Sequence, residues 1–370
     1  MKREGANSGG ETKEGTKSNS WNLFSNLNGK ALLIATVVTA ALVALVFLGS
    51  RKLQNFDAAL VTYLFGTVFA CFGITYRYAV WLQRPPTWMY FKRGWQLAFS
   101  GKIFSHLWFI GKQAVVNIAF QKFIYPRSKF RWMAHFAIAI GCISAFMITI
   151  PLTFGWVHFT FLPGSTEIYQ AHVFGIEAFS FPLGSFTAFM TFHALNWSSW
   201  LVIFGSVYYL RRRMIQPGLI STQAFESDLL PLLLLIGISV TGLGLTFSYQ
   251  FMKGFAFDFL AVFHAILVIL FLIWIPFGKF FHIIQRPAQI GARIYREEGT
   301  KRGMAKCKFT GQEFASQMHV DDLKTVTKQL GFDFTHEDGS SHLDYSPEGK
   351  RDRIAKAHLK AREESGSFFG

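Results

Sequence analysis

The stretch Phe255–Ile284, FAFDFLAVFHAILVILFLIWIPFGKFFHII, decides how the rest of the chain is read. It is almost wholly apolar, longer than the ~20 residues that cross a bilayer as a helix, and it carries two histidines, His264 and His282. At 3.6 residues per turn the two lie about five turns apart, so a continuous helix puts both imidazoles on one face. The rise between them is about 27 Å, close to the ~30 Å hydrocarbon core of a bilayer. One imidazole then sits near each membrane surface. Polar groups in lipid are costly and mark function, and a neutral imidazole is an axial ligand for haem iron. The spacing therefore predicts two haems stacked across a membrane. Pro276 falls between the two histidines and predicts a kink.

The composition agrees with a membrane setting. Of 370 residues, 51% are hydrophobic, 17% are aromatic and 42 are phenylalanine, an excess that a soluble core does not need. A net charge of +15 would suggest nucleic acid in a soluble protein. Here the Lys and Arg collect between apolar runs, which is the positive-inside pattern and speaks against a nucleic-acid partner. The three cysteines, Cys71, Cys142 and Cys307, are far apart, so this chain alone builds neither an iron–sulfur cluster nor a zinc ribbon.

Six runs of spanning length are expected: Ala31–Gly49, Ala58–Leu82, Trp132–Leu152, Ser185–Leu210, Leu229–Tyr249 and Phe255–Ile283. Basic residues flank three places, namely Arg84 to Arg131, Arg211 to Arg213, and Arg286 to Arg296, which puts these in the cytoplasm and with them both termini. Arg51 and Lys52 fall on the outer side, a mild violation. The expected fold is an all-α, polytopic bundle of six transmembrane helices with a cytoplasmic C-terminal tail, set in the cell's inner (cytoplasmic) membrane. Residues 1–30 are polar and read as a disordered cytoplasmic N-terminal tail, unlike a secretory signal. Residues 31–284 form the membrane domain. Within it, 86–124 mixes aromatics with lysines and reads as interfacial helices, and 153–184 reads as an outer cap or re-entrant segment. Residues 285–370 read as a cytoplasmic tail that docks a partner, with Cys307 a lone buried thiol.

Depth sorts the histidines. His135 lies four residues beyond Arg131, and His282 lies four before Arg286, so each is about 6 Å inside the cytoplasmic edge. They are level with each other and suited to one haem. His264 lies about 33 Å above Arg286 and needs an outer partner. His193, about 27 Å above Arg211, is the best match within a helix, and His158 and His172 in the outer segment are its rivals. Each histidine also has a plain reading as a hydrogen-bonded packing residue; four at two matched levels are harder to explain that way. His106 reads as structural. Glu177 and Asp258, near the outer surface with His158 and His172, are candidates to take quinol protons, although Asp258 is equally a charge at a helix N-terminus.

With these residues in hand, the chain resembles a known family. The pair His264 and His282, the stretch IPFGKFFH before His282, TGLGL (Thr241 to Leu245) in the preceding helix, and His135 in RWMAH are similar to the gamma subunit of respiratory nitrate reductase. They are similar too to its relatives, the membrane cytochromes b of heterodisulfide-reductase-type and sulfite-reductase-associated complexes. The resemblance covers about residues 57–290. It implies two b-type haems and a membrane subunit of a respiratory-chain oxidoreductase that moves electrons between the quinone pool and iron–sulfur or catalytic subunits, with no catalysis of its own. Two departures stand out. The family's second histidine, ten residues after the His135 equivalent, is Ala145 here, so the outer haem takes a ligand from elsewhere, His193 first, or is missing. The first helix, Ala31–Gly49, lies outside the family pattern. The alternative class is a haem-free transporter or scaffold whose histidines serve a proton relay or packing.

Overall fold

The computed structural model describes residues 27–100, 103–336 and 339–366. Most of the polar segment expected at residues 1–30 therefore lies outside the described residues. Among the described residues four stretches are long and apolar enough to cross a membrane: Gly29–Gly49, Lys129–Thr153, Phe225–Phe251 and Phe257–Trp274. The large apolar side chains that point away from the bundle, such as Phe65, Ile143, Met147, Phe259 and Val262, are exposed as they would be toward lipid.

The chain runs through α1 (Gly29–Gly49), α2 (Val61–Leu82), α3 (Pro85–Ala98), α4 (Ile103–Gln113) and α5 (Lys129–Thr153). Strands β1 (Val157–Phe161), β2 (Ile168–Val173) and β3 (Ile176–Pro182) follow. Then come α6 (Phe186–Phe192), α7 (Ala194–Ile215) and the short α8 (Pro217–Ile220). A π-turn at Phe225–Leu229 opens α9 (Leu230–Phe251), and α10 (Phe257–Trp274) and α11 (Phe281–Gln285) follow it. The last part holds α12 (Ala288–Lys301), β4 (Met304–Lys306), β5 (Glu313–Ser316), α13 (Gln317–Gln329) and α14 (Pro347–Ser365). Side chains of Asn28, Ser128, Ser185, Ser316 and Ser346 accept from first-turn N–H groups and start α1, α5, α6, α13 and α14.

Neighbouring helices of the bundle follow the order α1, α2, α10, α9, α7, α5. The α5–α7 seam is made of small residues: Ala134, Ala137 and Gly141 face Ser198, Val202 and Gly205. A Cβ on Gly141 would fall 2.8 Å from the Ser198 carbonyl oxygen, so only glycine allows this approach. One buried cluster, Val202, Leu234, Leu235 and Phe271, joins α7, α9 and α10.

The structure departs from the sequence expectations in four places. The last apolar run is not one helix: α10 stops at Trp274, and His282 stands on the separate α11. Pro276 lacks the N–H that would continue the ladder. The run Ser185–Leu210 is divided at His193 into α6 and α7. The outer segment 153–184 is a three-stranded antiparallel sheet, β1-β2-β3, so the chain is mostly helical rather than all-α. Its strands are rich in Phe, Ile, Val, Tyr and Thr, the residues that pack well on a pleated surface. Finally, the tail is docked. Leu97 of α3 is buried with Ile294 and Tyr295 of α12, and Arg93 reaches both carboxylate oxygens of Asp322 on α13 at 2.9 to 3.3 Å. Asp322 also accepts from Tyr295 Oη at 2.8 Å.

Asp322→Ala leaves the Tyr295 hydroxyl and Arg93 without their acceptor. It is expected to weaken tail docking by about 2 kcal/mol, read as faster amide hydrogen exchange in α3 and α13. Unchanged exchange would show that the apolar cluster alone holds the tail. Cys307 is buried beneath the start of α14, where Ser346 N–H donates to Sγ at 3.2 Å. Burial pushes this thiol up, but hydrogen bonds from the side chains and backbone of Ser346 and Thr310 outweigh it and lower the thiol from 9.0 to about 6. A depressed folded-state value means the thiolate's contribution is complete above about pH 9, shrinks as pH falls, and is gone below about 6. Tail stability measured from pH 9 to 6 should fall in the wild type and stay flatter in Cys307→Ala.

Candidate cofactor sites

His264 is held between α9 and α10. Its Nδ1 lies 2.9 Å from Thr241 Oγ1. The Thr241 hydroxyl has one hydrogen, which it donates to the Gly237 carbonyl at 2.7 Å. The hydroxyl can then only accept from the imidazole, so Nδ1 carries the proton and Nε2 keeps its lone pair. Gly242 permits the close packing, since a Cβ there would come within 3.3 Å of His264 Cε1. His264 lines a cavity of about 450 Å³ in the centre of the bundle.

The same bonding recurs at the other end. His135, in the second turn of α5, has Nδ1 2.6 Å from Gln121 Oε1. His282 has Nδ1 2.6 Å from the Lys279 carbonyl, which accepts only. In both, Nδ1 donates, and among the described residues no hydrogen bond reaches Nε2. Arg286, four residues after His282, lies over the Phe123 ring at 4.2 Å, and Gln121, two residues before Phe123, holds His135, so one turn of chain contacts both segments. The break itself is braced. Arg77 Nη1 donates to the carbonyls of Pro276 at 2.6 Å and Gly278 at 3.1 Å. Lys279, whose carbonyl holds His282, donates from Nζ to Asp228 at 2.6 Å, and Arg213 shares that carboxylate at 2.9 Å.

Metal-ligating histidines commonly donate one ring N–H to a fixed oxygen and bind with the other nitrogen. His135, His264 and His282 have this form. His193 does not. At the α6–α7 break its Nδ1 is 2.9 Å from the Phe189 carbonyl, and its Nε2 is 3.0 Å from Gln250 Nε2, which donates to it. Both nitrogens are engaged, and His193 does not line the cavity that His264 faces. The structure therefore does not bring the expected pair His193 and His264 to one site. The rivals are no nearer: His158 and His172 are opposed on β1 and β2, stacked with ring centroids 4.7 Å apart, and neither lines the cavity. Glu177 sits across from His172 on β3 and is exposed, as is Asp258 in the first turn of α10. His106 is buried with Nε2 3.5 Å from Glu298, tying α4 to α12. Among the described residues no three His, Cys, Asp or Glu groups come together as a metal cluster. Sequence reasoning missed Gln121 and the orienting role of Thr241, although TGLGL had singled out the latter's surroundings.

No protein-family model, curated protein or solved structure matches this chain. The geometry of the sites is left to speak for itself.

The inner pair fits a haem b. His135 and His282 each keep Nε2 free of a hydrogen bond among the described residues, and Arg286 beside the Phe123 ring is a cation of the kind a propionate takes. The outer cavity does not fit the expected bis-histidine haem. His264 is the one imidazole in its lining, Ala145 lines it too, and among its lining residues none is charged. Propionates buried there would have no counter-ion.

His193→Ala is expected to leave haem content unchanged in a pyridine haemochrome assay, because both its nitrogens are spent on protein partners. Loss of a haem would put an iron ligand at that position.

Proposed function

We propose that the protein is a cytochrome b-type membrane subunit that carries electrons between the quinone pool and a redox partner at the cytoplasmic face. The observation that carries the reading is the shared bonding of His135, His264 and His282, each with Nδ1 tied to an oxygen and Nε2 open. Bound between His135 and His282, haem b would supply one-electron transfer. The chain's own work is orientation. Gln121 and the Lys279 carbonyl fix the two tautomers and ring planes, and Asp228 and Arg77 hold the segment that bears His282.

In this reading the chain crosses the inner membrane six times with both termini in the cytoplasm. α2 and the α6–α7 pair act as spans alongside the four helices of spanning length and apolarity, consistent with the basic flanks. Iron–sulfur or catalytic subunits would approach the cytoplasmic surface formed by α3, α4 and the docked tail. That surface lies close to His135 and His282. The exposed aromatic row Trp88, Trp95, Phe99 on α3 faces away from the tail and suits the lipid interface. The dihaem expectation is narrowed to one haem, since the outer cavity lacks a second ligand and a cation.

His135→Ala and His282→Ala should each abolish the same haem spectrum. If the two variants lose different haems, or if the purified protein holds none, the reading fails.

A further inference from the structure

The cavity at His264 is well made for a ligand, though not for the haem that sequence spacing led one to expect. It is closed by residues of α2, α5, α7, α9 and α10, with Leu272, Phe271 and Val268 among its apolar walls. Its volume, about 450 Å³, lies within the usual range for small-molecule sites. Besides the hydroxyls of Tyr63, Thr149, Thr153, Ser199 and Ser239, two polar groups in its lining stand ready for a ligand. One is His264 Nε2, an acceptor by virtue of the Thr241 bond. The other is the amide of Asn196. Its Oδ1 accepts from Thr246 Oγ1 at 3.0 Å, and among the described residues its Nδ2–H2 makes no hydrogen bond. A mostly apolar cavity that offers an imidazole acceptor, an amide donor and several hydroxyls but no charge selects a neutral, flat, mostly apolar ligand whose oxygens both accept and donate. An acyl chain satisfies neither polar group, and leaving them dry is unfavourable. A charged ligand would lack a counter-ion.

We propose that this cavity binds the headgroup of a quinone or quinol, with His264 Nε2 accepting from a quinol hydroxyl and Asn196 donating to a quinone oxygen, in the place where two histidines would otherwise hold an outer haem. The proposal rests on the function argued above and reassigns His264 within it from an iron ligand to a quinone partner. Ala145 is then an asset, because a larger side chain would occupy the headgroup's space. Thr241 is a positioning residue: it presents Nε2 as an acceptor and does not touch the ligand.

The test uses the full chain, purified and returned to phosphatidylcholine vesicles, with haem counted by pyridine haemochrome and binding of decyl-ubiquinone and a short-chain menaquinone measured by equilibrium dialysis. One haem and one quinone per chain are expected. His264→Ala and Ala145→Phe should each weaken binding of the preferred quinone at least about tenfold. Both variants should keep the haem, and its retained spectrum shows that they are folded. Thr241→Val should weaken binding in the same direction. Two haems in the wild type, loss of a haem in His264→Ala, or equal quinone binding in wild type and both variants would each overturn the assignment while leaving the cytochrome reading in place. A wild type with no haem but with quinone binding that depends on His264 would overturn the cytochrome reading and spare the quinone site.

Discussion

The break at Pro276 is the constraint on which the arrangement of sites depends. Inside a membrane, a carbonyl freed from its helix has no water to turn to. Ending α10 at Trp274 frees carbonyls at that depth, and Arg77 of α2 answers two of them, at Pro276 and Gly278. Its guanidinium also lies over the Phe281 ring, 4.3 Å from the centroid. This one side chain both satisfies the break and ties α2 to the segment beyond it. The turn then puts His282 on a separate short helix instead of leaving it on the helix face that His264 occupies. A straight helix would have aligned His264 with His282. The broken one separates them into two environments, one held by the Lys279 carbonyl and one in a cavity without charged lining.

Much of this was legible in the sequence. Of the six apolar runs, four hold helices long and apolar enough to cross a membrane. Depth counted from Arg131 and Arg286 paired His135 with His282, and in the structure both have Nδ1 tied to an oxygen. The matching count for His193 and His264 had the same arithmetic behind it but a different result. A helix count says how deep a residue lies, not what its ring nitrogens bond to. His193 spends both on Phe189 and Gln250, a partner 57 residues away on another helix that no local pattern reveals. The outer sheet was hidden for another reason. Its strands, VHFTF, IYQAHV and IEAFSFP, carry strong strand propensity, but a hydrophobic chain full of aromatics masks it. The tail's docking was invisible because the Arg93–Asp322 bond joins two stretches that each look like ordinary solvated helix faces.

Ala145 shows how one small residue sets the chemistry of a cavity. The sequence marked it only as the place where a second histidine was missing. Beside His264 its methyl group is what leaves the cavity open, and the lack of charge around it makes that opening unsuited to a propionate-bearing macrocycle. Gly242 and Thr241 act in the same region by different means, one by permitting approach and the other by fixing a proton. The site is thus defined by where atoms are missing as much as by the one imidazole it contains.

The latch between Arg93 and Asp322 spans 229 residues of chain. During synthesis, at about 5–20 residues per second, α3 emerges roughly 10–50 s before α13 exists to cover it. Through that interval Tyr90, Leu97 and the unpaired guanidinium of Arg93 lie bare, while later helices are still being made. The order of translation therefore makes the tail the closing step of assembly. A chain interrupted before α13 would have its long apolar helices in place yet leave the acceptor of Arg93 unmade, so an unfinished copy differs from a finished one in the face that α3 presents.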